Sequence, residues 1–476
     1  MTQYFFDVTD LRAYLGRHRQ LSGIQRVSVM TIARARIDLG TENVWFCYHD
    51  RHRGRYRACR STSRAELDLT RYETLCALLN ISPSTRDLPG MERYAGRPLK
   101  RRYHIWLCDL RSRLGYEKYF RKRGTTLKSW REARSSLQNR ESPNLEQHNF
   151  DDVARRNDQL VLLDNAWQPT GLDTCLKRAR TDLGVEVSVL LHDMIPLVVP
   201  QYTINDVCLR FHDWLVRSTG FVTRYLANSE NTGRDIRDFL DHCGGEQPVH
   251  VVPLARAPLI APELSSDTTD PDLASTYSGF VQGRDMPDDI RALTKTEYVL
   301  IVGTMEIRKN LWRVATVWER LRRERGRELP KLVIAGRKGW LNDDFDALMK
   351  ASGNLGGWVG IVEGASDEIL EYLYRNSLFT ITASFYEGWG LPIGESLAYG
   401  KTAVVSNTSS MPEVGEDMVE YCDPHSLDSI EAACLRLIDD PGHRQEMEAR
   451  ISADRLRSWE DVARDMLAVV KNEQPG

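Results

Sequence analysis

Short runs that are apolar at nearly every position recur along this 476-residue chain and constrain its fold more than any other feature. The first series comprises YFFDV (4–8), NVWFCY (43–48), LVLLD (160–164), VSVLLHD (187–193), FVTRYLANS (221–229) and VHVVP (249–253). The second comprises YVLIVG (298–303), KLVIAG (331–336), VGIV (359–362), LFTITAS (378–384) and TAVVS (402–406). A strand with one wetted face alternates apolar and polar residues. A strand apolar throughout is covered on both faces, as in a parallel sheet flanked by helices. Longer helical patterns separate the runs, so two series predict two doubly wound α/β sheets. Residues 255–289 lie between them, rich in Pro, Ser, Thr and Asp, and read as a linker. The predicted division is 1–255, with a basic insertion at about 50–155, a linker over 256–295, a second domain over 296–455, and a C-terminal segment over 456–476. Within that last segment SWEDVARDMLAVV (458–470) has helical apolar spacing.

In open α/β sheets ligands bind outside the carboxyl ends of the strands, so the residues that follow each run carry the most information. LIVG is followed by Thr304, Arg308, Lys309 and Asn310, LVIAG by Arg337 and Lys338, and FTITAS by Glu387 and Gly388. In the first half VSVLL is followed by His192 and Asp193. SFYEGWGLPIGESLAYG (384–400) then sets Glu387 and Glu395 eight positions apart, with Gly388, Gly390 and Leu391 between them. Cations beside helix-start amides suit phosphate, and ionised carboxylates suit vicinal hydroxyls. One edge that favours both points to a nucleotide or a nucleotide sugar. Taken singly, each residue has a plainer explanation: Glu395 as helix-dipole partner, Arg308-Lys309 as a solvated pair, the glycines as a turn, His192 as a structural histidine. Their joint placement after strand ends is what those separate explanations do not predict.

Composition excludes several classes. With 41% hydrophobic and 28% charged residues and no run of about 18 apolar residues, the chain reads as soluble and globular, without a spanning helix. Asp7 and Asp10 sit where a secretory signal would carry its apolar core, which predicts a cytoplasmic protein. Nine scattered cysteines without a Cys-x-x-Cys pair read as reduced, buried small hydrophobes. The net charge of −3 conceals an asymmetry. Residues 91–140 hold fifteen Lys/Arg against four Asp/Glu, a net +11, which leaves −14 for the remainder. Three readings fit that stretch: a solvated helical face, a nucleic-acid site, or attraction to anionic lipid headgroups.

VGTMEIRKN, IAGRKGW, VEGASDEILEYLYRNS, SFYEGWGLPIGESLAYG and VSNTSSMPEVGED together resemble the donor-binding half of glycosyltransferase family 4, over about residues 298–425. The resemblance is patchier in the first half, resting on DVTDL, LSGIQRV (21–27), LHDMIPLVVP (191–200) and LANSENTGRDI (227–236). It implies the GT-B fold, two Rossmann-like domains facing across a cleft, and a retaining sugar transfer of the bacterial polysaccharide or O-antigen type. It further implies that Lys309 and Arg308 neutralise the donor diphosphate, Glu387 contacts the transferred sugar, Glu395 holds the ribose, and His192 (or Asp193) faces the sugar. Gly23, Gly388 and Gly390 would give backbone room near the donor. Where wider family members carry an arginine, this chain has Thr304, so phosphate neutralisation leans on Arg308 and Lys309.

No metal or other cofactor is implied, since no aspartate-rich motif is evident and two basic side chains can stand in for a divalent ion. The implied partners are a nucleotide sugar, with GDP-mannose preferred over UDP-sugars, and a surface-glycan acceptor, polyprenyl-diphosphate-linked. A peripheral contact with the inner face of an anionic membrane, but not with nucleic acid, completes the expectation. In this fold the final helix commonly crosses back onto the first domain; capping the second is the alternative. Competing functions on related sheets are a nucleotide-sugar epimerase, a nicotinamide-dependent oxidoreductase and a non-catalytic sugar-binding protein. The absence of Gly-x-Gly-x-x-Gly after the first strand of either half weighs against the oxidoreductase.

Overall fold

The computed structural model describes residues 2–18, 21, 23–50, 54–61, 68–69, 71–81, 88–91, 94, 97–138, 145–167, 171–257 and 286–473. The chain forms two compact units. The first is Met1–Asp87, Arg134–Ala255 and Arg457–Gly476; the second is Leu88–Ala133 and Arg256–Leu456.

The strands of the first unit are β1 (Tyr4–Asp7), β2 (Val44–Asp50), β3 (Arg55–Ser61), β4 (Leu145–Asn149), β5 (Gln159–Leu162), β6 (Glu186–Leu191), β7 (Arg224–Ala227) and β8 (Val249–Val251). They form one sheet in the order β4-β3-β2-β1-β5-β6-β7-β8. Every pairing is parallel except those of β3, which runs antiparallel to β2 and β4. β3 and β4 were not expected. RYRACRS and LEQHN lack continuous apolar character because they form the sheet margin, where cations and carboxylates pair across strands, as Arg60 does with Glu146 at 2.7 Å.

The second unit contributes β9 (Tyr298–Val302), β10 (Lys331–Ala335), β11 (Val359–Val362), β12 (Thr380–Thr382), β13 (Ala403–Ser406) and β14 (Glu420–Cys422). Their order is β11-β10-β9-β12-β13-β14, all parallel. Counted within this unit the order is 3-2-1-4-5-6, that of the doubly wound nucleotide-binding sheet. Alternate residues of β9 and β10 explain the unbroken apolar runs. Val299, Ile301, Leu332 and Ile334 pack into the core that includes Leu311, Val314 and Trp318 of helix Leu311–Arg325. Tyr298, Leu300, Val333 and Ala335 pack into a separate core with Tyr372 and Leu373 of helix Asp367–Asn376. Both faces are covered, so neither face needs polar residues.

Three differences from the sequence reading follow. Leu88–Ala133 belongs to the second unit and not, like the rest of 50–155, to the first; Lys128 pairs there with Glu368 at 2.9 Å. Most of the expected linker, 258–285, lies outside the described residues, and its C-terminal part forms a helix, Asp288–Leu293. Not every cysteine is buried: all nine are free, but Cys175 and Cys208 are half-buried and Cys243, ending a helix, is exposed. The helix Trp459–Val470 lies in the first unit. It packs along helix Gly23–Leu39, with the Thr31 hydroxyl 3.6 Å from the Met466 sulfur, and its Val469 carbonyl accepts from Arg224 at 2.7 Å. Among the described residues no helix is long and apolar enough to cross a membrane.

Candidate active site

In the second sheet the strand order reverses between β9 and β12, and at such a switch point the diverging loops leave a crevice. The loop after β9 begins at Gly303, whose φ of 143° suits glycine. A Cβ there would sit 3.3 Å from Lys309 Cε, so the missing side chain lets the lysine fold back over the strand end. Asn310, at φ 60°, turns the chain into helix Leu311–Arg325. Its side-chain amide donates to the carbonyls of Ala383 (3.0 Å) and Pro424 (2.8 Å), and Phe385 N–H donates to the Arg308 carbonyl (2.9 Å). The loops after β9 and β12 are therefore held together backbone to backbone.

Glu387 links them chemically. One carboxylate oxygen lies 2.7 Å from Arg308 Nη1, and the other accepts from Lys309 Nζ at 2.6 Å. Arg308 also donates to Glu306 (2.5 Å) and to the Tyr386 carbonyl (2.6 Å). Only 7% of Glu387 is exposed. Burial alone would raise its pKa, but Arg308 and then Lys309 outweigh it and hold the carboxyl down at about 2. Ser409 Oγ accepts from Glu387 N–H (2.9 Å), and Ser410 Oγ donates to the Glu387 and Trp389 carbonyls, which fixes the loop from behind. Gly388 is buried in that loop. Gly390, at φ 98°, turns the chain into helix Leu391–Ala398, where a Cβ would meet Ile393 Cδ1 at 2.9 Å.

Other predicted residues of this unit take different positions. Glu395, half-buried on helix Leu391–Ala398, accepts from the Tyr374 hydroxyl at 2.8 Å. Thr304, Arg337 and Lys338 are exposed on the loops after β9 and β10. Those loops touch through glycine. A Cβ on Gly336 would fall 1.8 Å from the Gly303 carbonyl oxygen, and Met305 N–H bonds to the Arg337 carbonyl at 2.8 Å.

Gly23, His192 and Asp193 belong to the first unit, whose own order reverses between β1 and β5. Gly23 opens helix Gly23–Leu39. His192 and Asp193 line a cavity of about 90 Å³ with Ile24, Asp164, Asn165 and Trp167. His192 Nε2 lies 2.7 Å from the Leu163 carbonyl, which can only accept, so the ring is assigned its proton on Nε2. Burial lowers its pKa to about 4, against a smaller upward push from that hydrogen bond, so the imidazole is neutral near pH 7. Asp193 accepts from Ile195 N–H at 3.1 Å.

Two buried carboxylates of this unit, Asp7 and the cavity-lining Asp164, were not singled out as site residues from the sequence. Asp7, at the end of β1, accepts from Thr9 and from the Tyr56 hydroxyl (2.7 Å). Asp164, following β5, accepts from Leu11 N–H and Ser28 Oγ. Burial raises the pKa of both, Asp7 to about 6. The rule that located Glu387, a charged residue at or shortly past the end of an apolar run, applied equally to Asp164. Among the described residues no group of three or more His, Cys, Asp or Glu could hold a metal ion.

Two Rossmann-like sheets, the second in nucleotide-binding order, define the GT-B fold class. A solved structure of Alr3699/HepE from Anabaena, described as in complex with UDP and glucose, has the same fold. Its TM-score is 0.55 at 10% identity, covering 99% of this chain and 100% of that one. Residues 284–453 match the family model of glycosyl transferases group 1. O-antigen chain mannosyltransferase B of Escherichia coli is 34% identical over 175 residues, 37% of this chain and 45% of that protein. The serotype-specific mannosyltransferase WbdA of Escherichia coli is 24% identical over 242 residues, 50% of this chain and 28% of that protein. The match thus spans less than half the length of either curated relative.

Proposed function

We propose that the protein is a retaining glycosyltransferase of family 4 that moves mannose from GDP-mannose to a bacterial surface-glycan acceptor carried on polyprenyl diphosphate, working on the cytoplasmic side of the membrane. The observation that carries this reading is the collection of Arg308 and Lys309 on Glu387 at the switch point of the second sheet. When the bond between the anomeric carbon and the diphosphate breaks, negative charge develops on the leaving oxygen. Two cations held in place stabilise that charge more in the transition state than in the ground state. The acceptor oxygen bonds to the anomeric carbon on the face the diphosphate leaves, and its proton passes to the departing phosphate. On this reading no metal is needed, because Arg308 and Lys309 supply the countercharge.

Glu387 acquires a second role beside contact with the sugar. In the structure it pairs with both cations, and an incoming diphosphate would share them with it. Glu395 takes the ribose, and the neutral His192 presents a ring nitrogen to the sugar. The mannosyltransferase relatives support the choice of mannose. The deciding experiment incubates the protein with a panel of nucleoside-diphosphate sugars and measures nucleotide release. Release from GDP-mannose above all others is expected; release from a UDP-sugar alone would replace the donor, and release from none would reject the transferase reading.

A further inference from the structure

The basic segment carries a feature that its charge did not announce. Helix Pro98–Arg113 turns a line of large apolar side chains outward: Leu99 (80% exposed), Tyr103 (58%), Trp106 (59%) and Leu110 (42%), continued by Leu114 (62%) just beyond its end. Their spacing of four, three, four and four residues places them on one face. Exposed Lys100, Arg102 and Arg113 flank the line. The opposite face is engaged within the protein. Cys108 and Ser112 are buried, Asp109 accepts from the Trp130 indole (3.2 Å), and the Ser112 carbonyl accepts from Arg131 (2.6 Å). The helix is thereby anchored by its polar side and presents its apolar side, the reverse of a soluble surface helix.

We propose that this face of helix Pro98–Arg113 docks on an anionic lipid bilayer, with Trp106, Tyr103 and the leucines entering the headgroup boundary and the flanking cations contacting lipid phosphates. Aromatic rings with a polar edge and aliphatic side chains partition into that boundary, and basic residues beside them add attraction to anionic lipid. The helix is about 24 Å long, enough to lie in the membrane plane but too short and too charged to cross it. A second copy of the chain fits this face poorly. Two-fold pairing would bring Lys100, Arg102 and Arg113 of both copies together in a segment already at +11. The lipid-linked acceptor of the proposed function gives this docking its purpose, and to that extent the inference rests on that reading.

The cations of this segment are not equivalent. Arg101 is half-buried, Arg121 lies 3.7 Å from Glu117, and Arg123 stacks 3.8 Å over the Tyr119 ring. Arg102 and Lys122 remain exposed.

The test is sedimentation of the full chain with vesicles of phosphatidylethanolamine and phosphatidylglycerol, at low and high salt, with phosphatidylcholine vesicles as control. Wild type is expected to bind the anionic vesicles and to keep part of that binding in high salt. Replacing Leu99, Tyr103, Trp106 and Leu110 together by Ser should remove the salt-resistant part, a loss of about 10-fold or more in partitioning. Lys100→Glu, Arg102→Glu and Arg113→Glu together should remove the salt-sensitive part. These exposed positions carry no core, so both variants should fold. Wild type indifferent to anionic vesicles, or a serine variant binding as wild type does, overturns the proposal. So does a wild-type dimer that becomes a monomer in the serine variant without any lipid binding. Nucleotide release in the presence of a soluble acceptor should be equal in all three proteins, so a failure of docking is distinguishable from a failure of the transferase reading.

Discussion

The two sheets reverse their strand order in the same way and fill the resulting switch points with opposite chemistry. In the second unit, Arg308 and Lys309 come to one carboxylate and hold its pKa at about 2. In the first unit, Asp7 and Asp164 occupy the equivalent place, satisfied by hydroxyls and amides, and burial drives their pKa values up. Equal topology therefore does not give equal sites. The first point is a neutral-leaning, hydrogen-bonded support at a small cavity; the second is a charged cluster in which two cations, Arg308 and Lys309, meet two buried acids, Glu387 and Glu306. Only the second presents the cations that the proposed diphosphate site requires.

The sharpest way to break this comparison is to remove one cation from the second point. Lys309→Ala is expected to lower kcat/KM by about two to three powers of ten while leaving the fold intact, since it removes one oriented stabilising group from the switch point of the second sheet. Steady-state kinetics beside a thermal melt check both halves; near-normal turnover would mean that the phosphate binds elsewhere. Arg308→Ala should in addition lower stability, by about 3–5 kcal/mol, because Glu306 and Glu387 are buried and would each lose a charged partner. Denaturant unfolding would reveal it, and a melt equal to that of Lys309→Ala would contradict the central place given to Arg308.

A smaller effect separates the acids. Glu395→Gln should weaken GDP and GDP-mannose alike, because its proposed contact is ribose. Glu387→Gln should not weaken GDP, since it frees the cations, yet should impair transfer. Calorimetry with GDP on both variants distinguishes them, and equal losses would collapse the division of labour.

The smallest effect is in pH. Glu387, depressed from an ordinary 4.5 to about 2, gives stability that is complete above 4.5 and lost as pH falls through about 2. Asp7, raised from 3.8 to about 6, does the opposite: its contribution is complete below 3.8 and is lost as pH rises through about 6. Asp7→Asn should therefore flatten the pH dependence of stability between about 4 and 6, whatever its absolute stability. An unchanged slope in that window would show that Asp7 is not the buried acid described.

What the sequence revealed and what it hid follow from the same contrast. Strands buried on both faces announce themselves, as YVLIV and KLVIA do, because two cores demand unbroken apolar runs. The margin strands β3 and β4 do not, because cross-strand charge pairs such as Arg60–Glu146 replace that signal. Residues just past strand ends could be read as a site, since topology alone directs them there. That Glu387 would pair with both cations could not, nor that Asn310 would tie Ala383 to Pro424, since these depend on how loops distant in sequence meet. The outward apolar line on Pro98–Arg113 was hidden for a related reason. Its spacing is that of any amphipathic helix, and only the packing of the opposite face shows which side meets solvent.

The central claim is that Arg308 and Lys309 at the second switch point receive the diphosphate, and calorimetric titration of GDP into wild type and Lys309→Ala tests it most directly. Loss of one charge-assisted contact predicts a fall in affinity of about 10-fold or more, with the variant still folded. Equal GDP affinity in the two proteins would contradict it.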